Sequence, residues 1–375
     1  MNATVESHGK PRFAFLDYGR VLACVMVVLY HASGTASLPK YFGDHPLGEF
    51  FALGFVRMPF FFAMSGFLLA WFYLKPGSTM KPVTFLAKRV SRLFPLYWMV
   101  LCLVAAVEIF VLRHADVVPG GWDWWATFLL LPQDAGVVGG TGAPVLYPAW
   151  VLQYELIGYL LITLALTSRW LRFAYLCTFP VFFLLWADSE VFALRFLASD
   201  WLLVFWFGAV AAWAARAWTR ARLQWVMRAA LVCLGTAAVM QWLLPTMTGE
   251  WKTFVNFHLF YGAGFALLMA GLVNASRNNR TPVRTSAWSD SVTTFAVWTY
   301  AIFLLHAPVI TFVCKVLIAL GFRGENGWIL AVSASLVISV AAGAVVQRVI
   351  EAPVDRLIVR GWRGLRARMR SQLTV

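Results

Sequence analysis

LDYGRVLACVMVVLYHASGTASL, residues 16–38, decides what kind of chain this is. Ten apolar residues separate Arg20 from His31, and the whole stretch has the length an α-helix needs to cross a hydrocarbon core of ~30 Å at ~1.5 Å per residue. No small-residue cleavage pattern follows it, so it reads as a retained first helix rather than a removed signal peptide.

Similar runs recur to the end of the chain. Of its 375 residues 61% are hydrophobic and 13% charged, a balance that no water-soluble fold can hide. The apolar runs predict helices at about 16–38, 50–74, 93–113, 146–168, 170–187, 196–215, 225–245, 254–275, 293–320 and 328–350. The expected fold is therefore all-α, a polytopic membrane protein of about ten transmembrane helices. Residues 1–15 form a short N-terminal segment, 16–350 the membrane domain and 351–375 a basic tail.

A net charge of +14 in a soluble protein would suggest a nucleic-acid partner, but here placement matters more than the sum. With the N-terminus in the cytoplasm, 24 of the 31 Lys and Arg residues fall in inner loops or at inner helix ends. Such asymmetry orients membrane proteins, and it predicts both termini in the cytoplasm, membrane lipids as partners and no nucleic acid. The basic tail, with interspersed Leu, Val and Trp, suits a helix lying on anionic headgroups. In the longest outer loop, about 114–145, the segment WDWWATFLLL suits a short interfacial helix. Cys24, Cys102, Cys177, Cys233 and Cys314 all lie in apolar runs, as small hydrophobes do, so neither a disulfide framework nor a metal site is expected.

Ionisable groups inside the hydrocarbon cost ~2.5–3.5 kcal/mol each on insertion scales, so each needs a reason. Four stand out: His31, Arg57, Glu155 and His306. Counted from the predicted outer helix ends, the first three lie at one depth, about 10–12 Å below the surface. They are expected to converge in a polar pocket open to the outside, with His306 deeper and apart from it. A histidine with a carboxylate can take a proton from a hydroxyl. On the cytoplasmic side, Arg20 sits at the mouth of the first helix, while Arg89 and Arg92, three apart, share one helix face and can grip a phosphate together.

Six segments, in order, resemble the membrane-bound acyltransferase 3 family, which O-acylates carbohydrates at bacterial surfaces. LDYGRVLACVMVVLYH is similar to its opening motif through Arg20 and His31, FFFAMSGFLL through Ser65, Gly66 and Phe67, and KRVSRLFPLYW through Arg89, Arg92, Pro95 and Trp98. PAWVLQYELIGYLL resembles the family through Trp150 and Glu155, YAIFLLHAPVI through Tyr300, His306 and Pro308, and VVQRVIEAPVDR through Glu351 and Pro353. The stretch leading into PAWVLQYELIGYLL resembles the exopolysaccharide acetyltransferase branch. RMPFFF departs from it, with Arg57 and Pro59 where that branch has an Asp before its paired phenylalanines.

The resemblance implies a cytoplasmic acyl-coenzyme A donor (acetyl-coenzyme A in the simplest case) and a carbohydrate or glycolipid acceptor across the membrane. It implies a place in the bacterial inner membrane. His31 is expected as general base or acyl relay with Glu155 assisting, Arg20, Arg89 and Arg92 as the donor grip, and Arg57, Ser65 and Trp150 around the acceptor. Asp17, Tyr300 and His306 are expected to support them. A rival reading is a secondary transporter using His31, Glu155 and His306 as a proton or substrate path. No inverted repeat is visible in the sequence, and the six ordered motifs have no place in that reading.

Overall fold

A computed structural model describes residues 13–111, 113, 117–218, 220–243, 256–278 and 287–361. Ten long helices account for most of them: α1 (Ala14–Ala36), α2 (Arg57–Tyr73), α3 (Pro82–Ala106), α4 (Trp150–Thr167), α5 (Arg169–Trp186), α6 (Asp200–Ala214), α7 (Arg220–Leu243), α8 (Phe257–Asn278), α9 (Ala287–Ala319) and α10 (Gly324–Val346). No strand occurs among the described residues. Eight of the ten are long and apolar enough to cross a membrane, α6 as part of the longer helical span Phe192–Ala217. The exceptions are α2, only 17 residues long, and α5, which opens on Arg169 and Arg172. The chain is a polytopic membrane protein.

Boundaries shift where charge masks helix. The third crossing starts at Pro82, not near residue 93, because proline suits the first helical position and Lys81 before it is extended. Arg89 and Arg92 therefore lie well inside α3. Regular α2 begins only at Arg57, after the helix Pro46–Ala52 and the 3₁₀ turn Leu53–Val56. The outer-loop segment contains the helix Gly121–Phe128, with Trp122 and Trp125 exposed. Past α10 a π turn, Gln347–Glu351, leads into helix that runs to residue 361; the rest of the predicted tail, like residues 1–12, lies outside the described residues.

α2 is the inner helix, packed against α6 and α8, while α1, α9 and α10 form a neighbouring group that meets it directly through α1 and is also joined to it through α3 and α4. Its motif Ser65–Gly66–Phe67 divides the work. A β-carbon on Gly66 would run into the Phe205 carbonyl oxygen of α6, and one on Gly208 into that of Ala63, so these glycines let two backbones touch, as small residues do in membrane bundles. Phe67 stacks on Trp71 at 5.8 Å. The C-terminal end of α2 is held by Arg216, which donates to the carbonyls of Ala70 and Trp71 at 3.1 and 2.5 Å; a cation there also meets the negative end of the helix dipole. Ser65 is left free to face inward.

Candidate active site

Five helices, α1, α2, α3, α4 and α9, surround a cavity of about 520 Å³. One end is cationic, lined by Arg20, Lys88, Arg89 and Arg92. Arg89 donates to the Tyr73 hydroxyl at 2.9 Å, and its guanidinium carbon stands 5.1 Å from that ring, 5.5 Å from Phe85 and 5.9 Å from Tyr159. Arg20 lies 3.9 Å from Asp17, three residues before it. Arginine held against aromatic faces is preorganised for a planar, bidentate anion such as a phosphate.

Midway sits Glu155. It accepts from Tyr159 at 2.7 Å and from Ser65 at 3.5 Å. Tyr159 lies one turn along α4, so the spacing Glu155-x-x-x-Tyr159 is the sequence signal for this contact. Tyr300 also lines the cavity and donates to the Leu93 carbonyl at 2.6 Å, tying α9 to α3 just before Pro95.

Beyond the other end lies His31. Arg20, Cys24 and Val27 line the cavity, and His31 continues the same stripe of α1 at positions i, i+4, i+7 and i+11. Eleven residues put His31 about 16 Å from Arg20 along the axis. The wall reaches Val27, Met58 and Phe303, each within one turn of His31, Arg57 and His306. Those three form the terminal cluster. Arg57 donates from Nη2 to His31 Nε2 at 3.1 Å, and the His31 and His306 rings are 5.2 Å apart.

Guanidinium groups only donate, so His31 Nε2 is the acceptor and the neutral ring has its proton on Nδ1. His306 is fully buried; its Nδ1 donates to the Phe303 carbonyl at 2.7 Å, leaving the lone pair on an Nε2 with no partner among the described residues. On the open side the ring of Tyr147, 48% exposed, stands 5.9 Å from His31. His31 thus lies between a cation-mouthed cavity and an exposed aromatic.

This arrangement corrects the expected one in three ways. Glu155 is not in the His31 cluster: it faces the cavity with Ser65 and Tyr159, so Ser65 too lies on the cavity wall and not beside His31. His306, expected apart from the pocket, is in ring contact with His31. Trp150 lies off the cavity wall in an aromatic group with Phe62, Tyr154 and Trp201, at centroid distances of 6.4, 6.0 and 5.6 Å. Depth along a helix is readable from sequence; which neighbour its face meets is set by packing.

Known proteins place the chain. The family model described as an acyltransferase domain matches residues 13–348. Acyltransferase MdmB of Streptomyces mycarofaciens is 27% identical over 371 residues, covering 86% of this chain and 87% of its own. Protein 2 in the picA locus of Rhizobium radiobacter is 32% identical over 160 residues, 39% of this chain and 78% of its own. No solved structure matches.

Proposed function

The chain belongs to the acyltransferase 3 family, and on that premise we propose that it transfers an acyl group, acetyl in the simplest case, from acyl-coenzyme A to a hydroxyl of a carbohydrate or glycolipid at the opposite face of a bacterial inner membrane. One observation supports this above the rest: a single cavity has four cations at one end and walls that reach within a helical turn of His31 at the other. A donor with a phosphate-rich head and a thioester on a long arm fits that polarity. Its phosphates meet Arg20, Lys88, Arg89 and Arg92, and its thioester lies toward His31.

His31 acts as general base. The neutral ring offers one lone pair, on Nε2, and an arriving hydroxyl takes the place of the Arg57 N–H now bonded there. Transfer is direct, hydroxyl to thioester carbonyl, with no acylated residue between. The acceptor arrives from the Tyr147 side, where exposed aromatic surface with few polar groups suits a sugar ring. Glu155, bonded to Ser65 and Tyr159, lies along the thioester arm and positions it; Tyr300 and His306 brace the wall of α9.

Purified protein incubated with labelled acetyl-coenzyme A should release free thiol and label a membrane glycan fraction only when that acceptor is added. Intact thioester, together with solute accumulation by vesicles containing the protein, would establish the transporter reading instead.

A further inference from the structure

Arg57 is the anomaly of the bundle. Its side chain is 4% exposed, yet among the described residues it meets no carboxylate. Nη1 donates to the Gly54 carbonyl at 2.7 Å, Nη2 to His31, and the guanidinium carbon lies 4.0 Å over the Tyr30 ring; Nε has no hydrogen-bond partner among the described residues. A buried charge without a counter-charge costs several kcal/mol, and an apolar residue of similar volume is often better tolerated. The fold nevertheless fixes the group on three sides. Gly54 belongs to the 3₁₀ turn before α2, and a β-carbon there would come 3.1 Å from the Met26 carbonyl oxygen and from Cβ of Tyr30. The turn therefore presses onto α1 and brings its carbonyl to the guanidinium. The result is a rigid donor with only two of its five N–H groups engaged among the described residues.

Resting on the transfer reading above, we infer that Arg57 holds the negative oxygen of the tetrahedral intermediate. A base and an oxyanion donor must flank the same reacting carbon; Arg57 Nη2 is bonded to the His31 lone pair at 3.1 Å, so a hydroxyl that takes up that lone pair releases an N–H beside the carbon it attacks. When the acceptor hydroxyl oxygen bonds to the thioester carbonyl carbon, its proton passes to His31 Nε2 and the carbonyl electron pair moves onto oxygen, facing the guanidinium. The pair then returns, the C–S bond breaks, and the thiolate takes the proton from His31. Ester and free thiol leave with no net charge change. Arg57 meets no anion among the described residues because its anion exists only during the reaction, and preorganised donors of this kind act on kcat.

Arg57→Met and Arg57→Lys in the full-length purified protein test the assignment. The Met variant should melt at or above the parent temperature and lose about 10²–10³-fold in kcat, with KM for acetyl-coenzyme A and for acceptor moving less than about threefold. The Lys variant should recover at least ~10-fold over Met, since it restores the charge without the planar fork. If Met does not fold, Arg57→Gln is read by the same split. Turnover by a folded Met or Gln variant within about threefold of parent overturns the assignment. So does a raised acceptor KM at unchanged kcat, which would mean that Arg57 binds a permanent anion of the acceptor. A parent that leaves the thioester intact overturns the transfer reading and this assignment with it, whereas an active parent beside an equally active variant overturns the assignment alone.

Discussion

Arg89 and Arg57 are both held against tyrosine rings on the same inner bundle, one at each end of the cavity, and they differ in what they lack. Arg89 faces open volume beside three other cations, with Tyr73 as a hydrogen-bond partner. Arg57 is sealed in, bonded to a histidine and a backbone carbonyl, with one nitrogen unmatched. A cation facing open volume can bind a charge that comes and goes. One sealed against a base can only serve a charge made in place. The two ends should therefore separate in kinetics, donor-end substitutions moving KM and far-end substitutions moving kcat.

The largest effect belongs at the far end. His31→Ala should leave the detergent melting curve near parent and lower kcat by ~10²–10⁴-fold, the usual worth of a positioned general base; near-normal turnover by the folded variant would sink the mechanism and the comparison together. Glu155→Gln, between the ends, should cost about 10²-fold in kcat/KM. The amide keeps the shape but replaces the charge that accepts from Tyr159 and Ser65. Steady-state kinetics that show this loss in acceptor KM alone would move Glu155 out of the donor path. The smallest effect is at the mouth: Arg89→Ala or Arg92→Ala should raise KM for acetyl-coenzyme A roughly 10-fold each, one charge-assisted contact at the lower end, ~1.5 kcal/mol, of its usual worth, at little change in kcat. Donor affinity untouched by both, measured by titration calorimetry, would reduce these arginines to topology charges.

Much of this was legible beforehand. Ten apolar runs correspond to ten long helices, and the stripe from Arg20 to His31 follows from helical period alone. The paired arginines share a face because three residues is nearly one turn. What stayed hidden depends on azimuth between helices. His31 and Glu155 were matched by depth, yet α4 turns Glu155 toward Tyr159 and the cavity while α9 delivers His306 to His31. The early start of α3 was masked because Lys88, Arg89 and Arg92 dilute the apolar signal, although in the fold they line a cavity. Ser65 and Gly66 stand side by side in one motif, but only packing shows that one meets Glu155 and the other a neighbouring backbone.

The stripe on α1 has a consequence for how such a chain can change over time. Arg20 and His31 are joined only by the count of residues between them, ten apolar side chains of which several can be exchanged for others of similar volume. The count itself cannot drift. A single inserted or deleted residue would swing His31 by about 100° and ~1.5 Å relative to Arg20, turning it away from Arg57 and His306 while leaving the segment as apolar and as long as before. Lineages descended from this chain should thus show freedom of letters and rigidity of length between those two positions, a gap-free interval inside a tolerant helix.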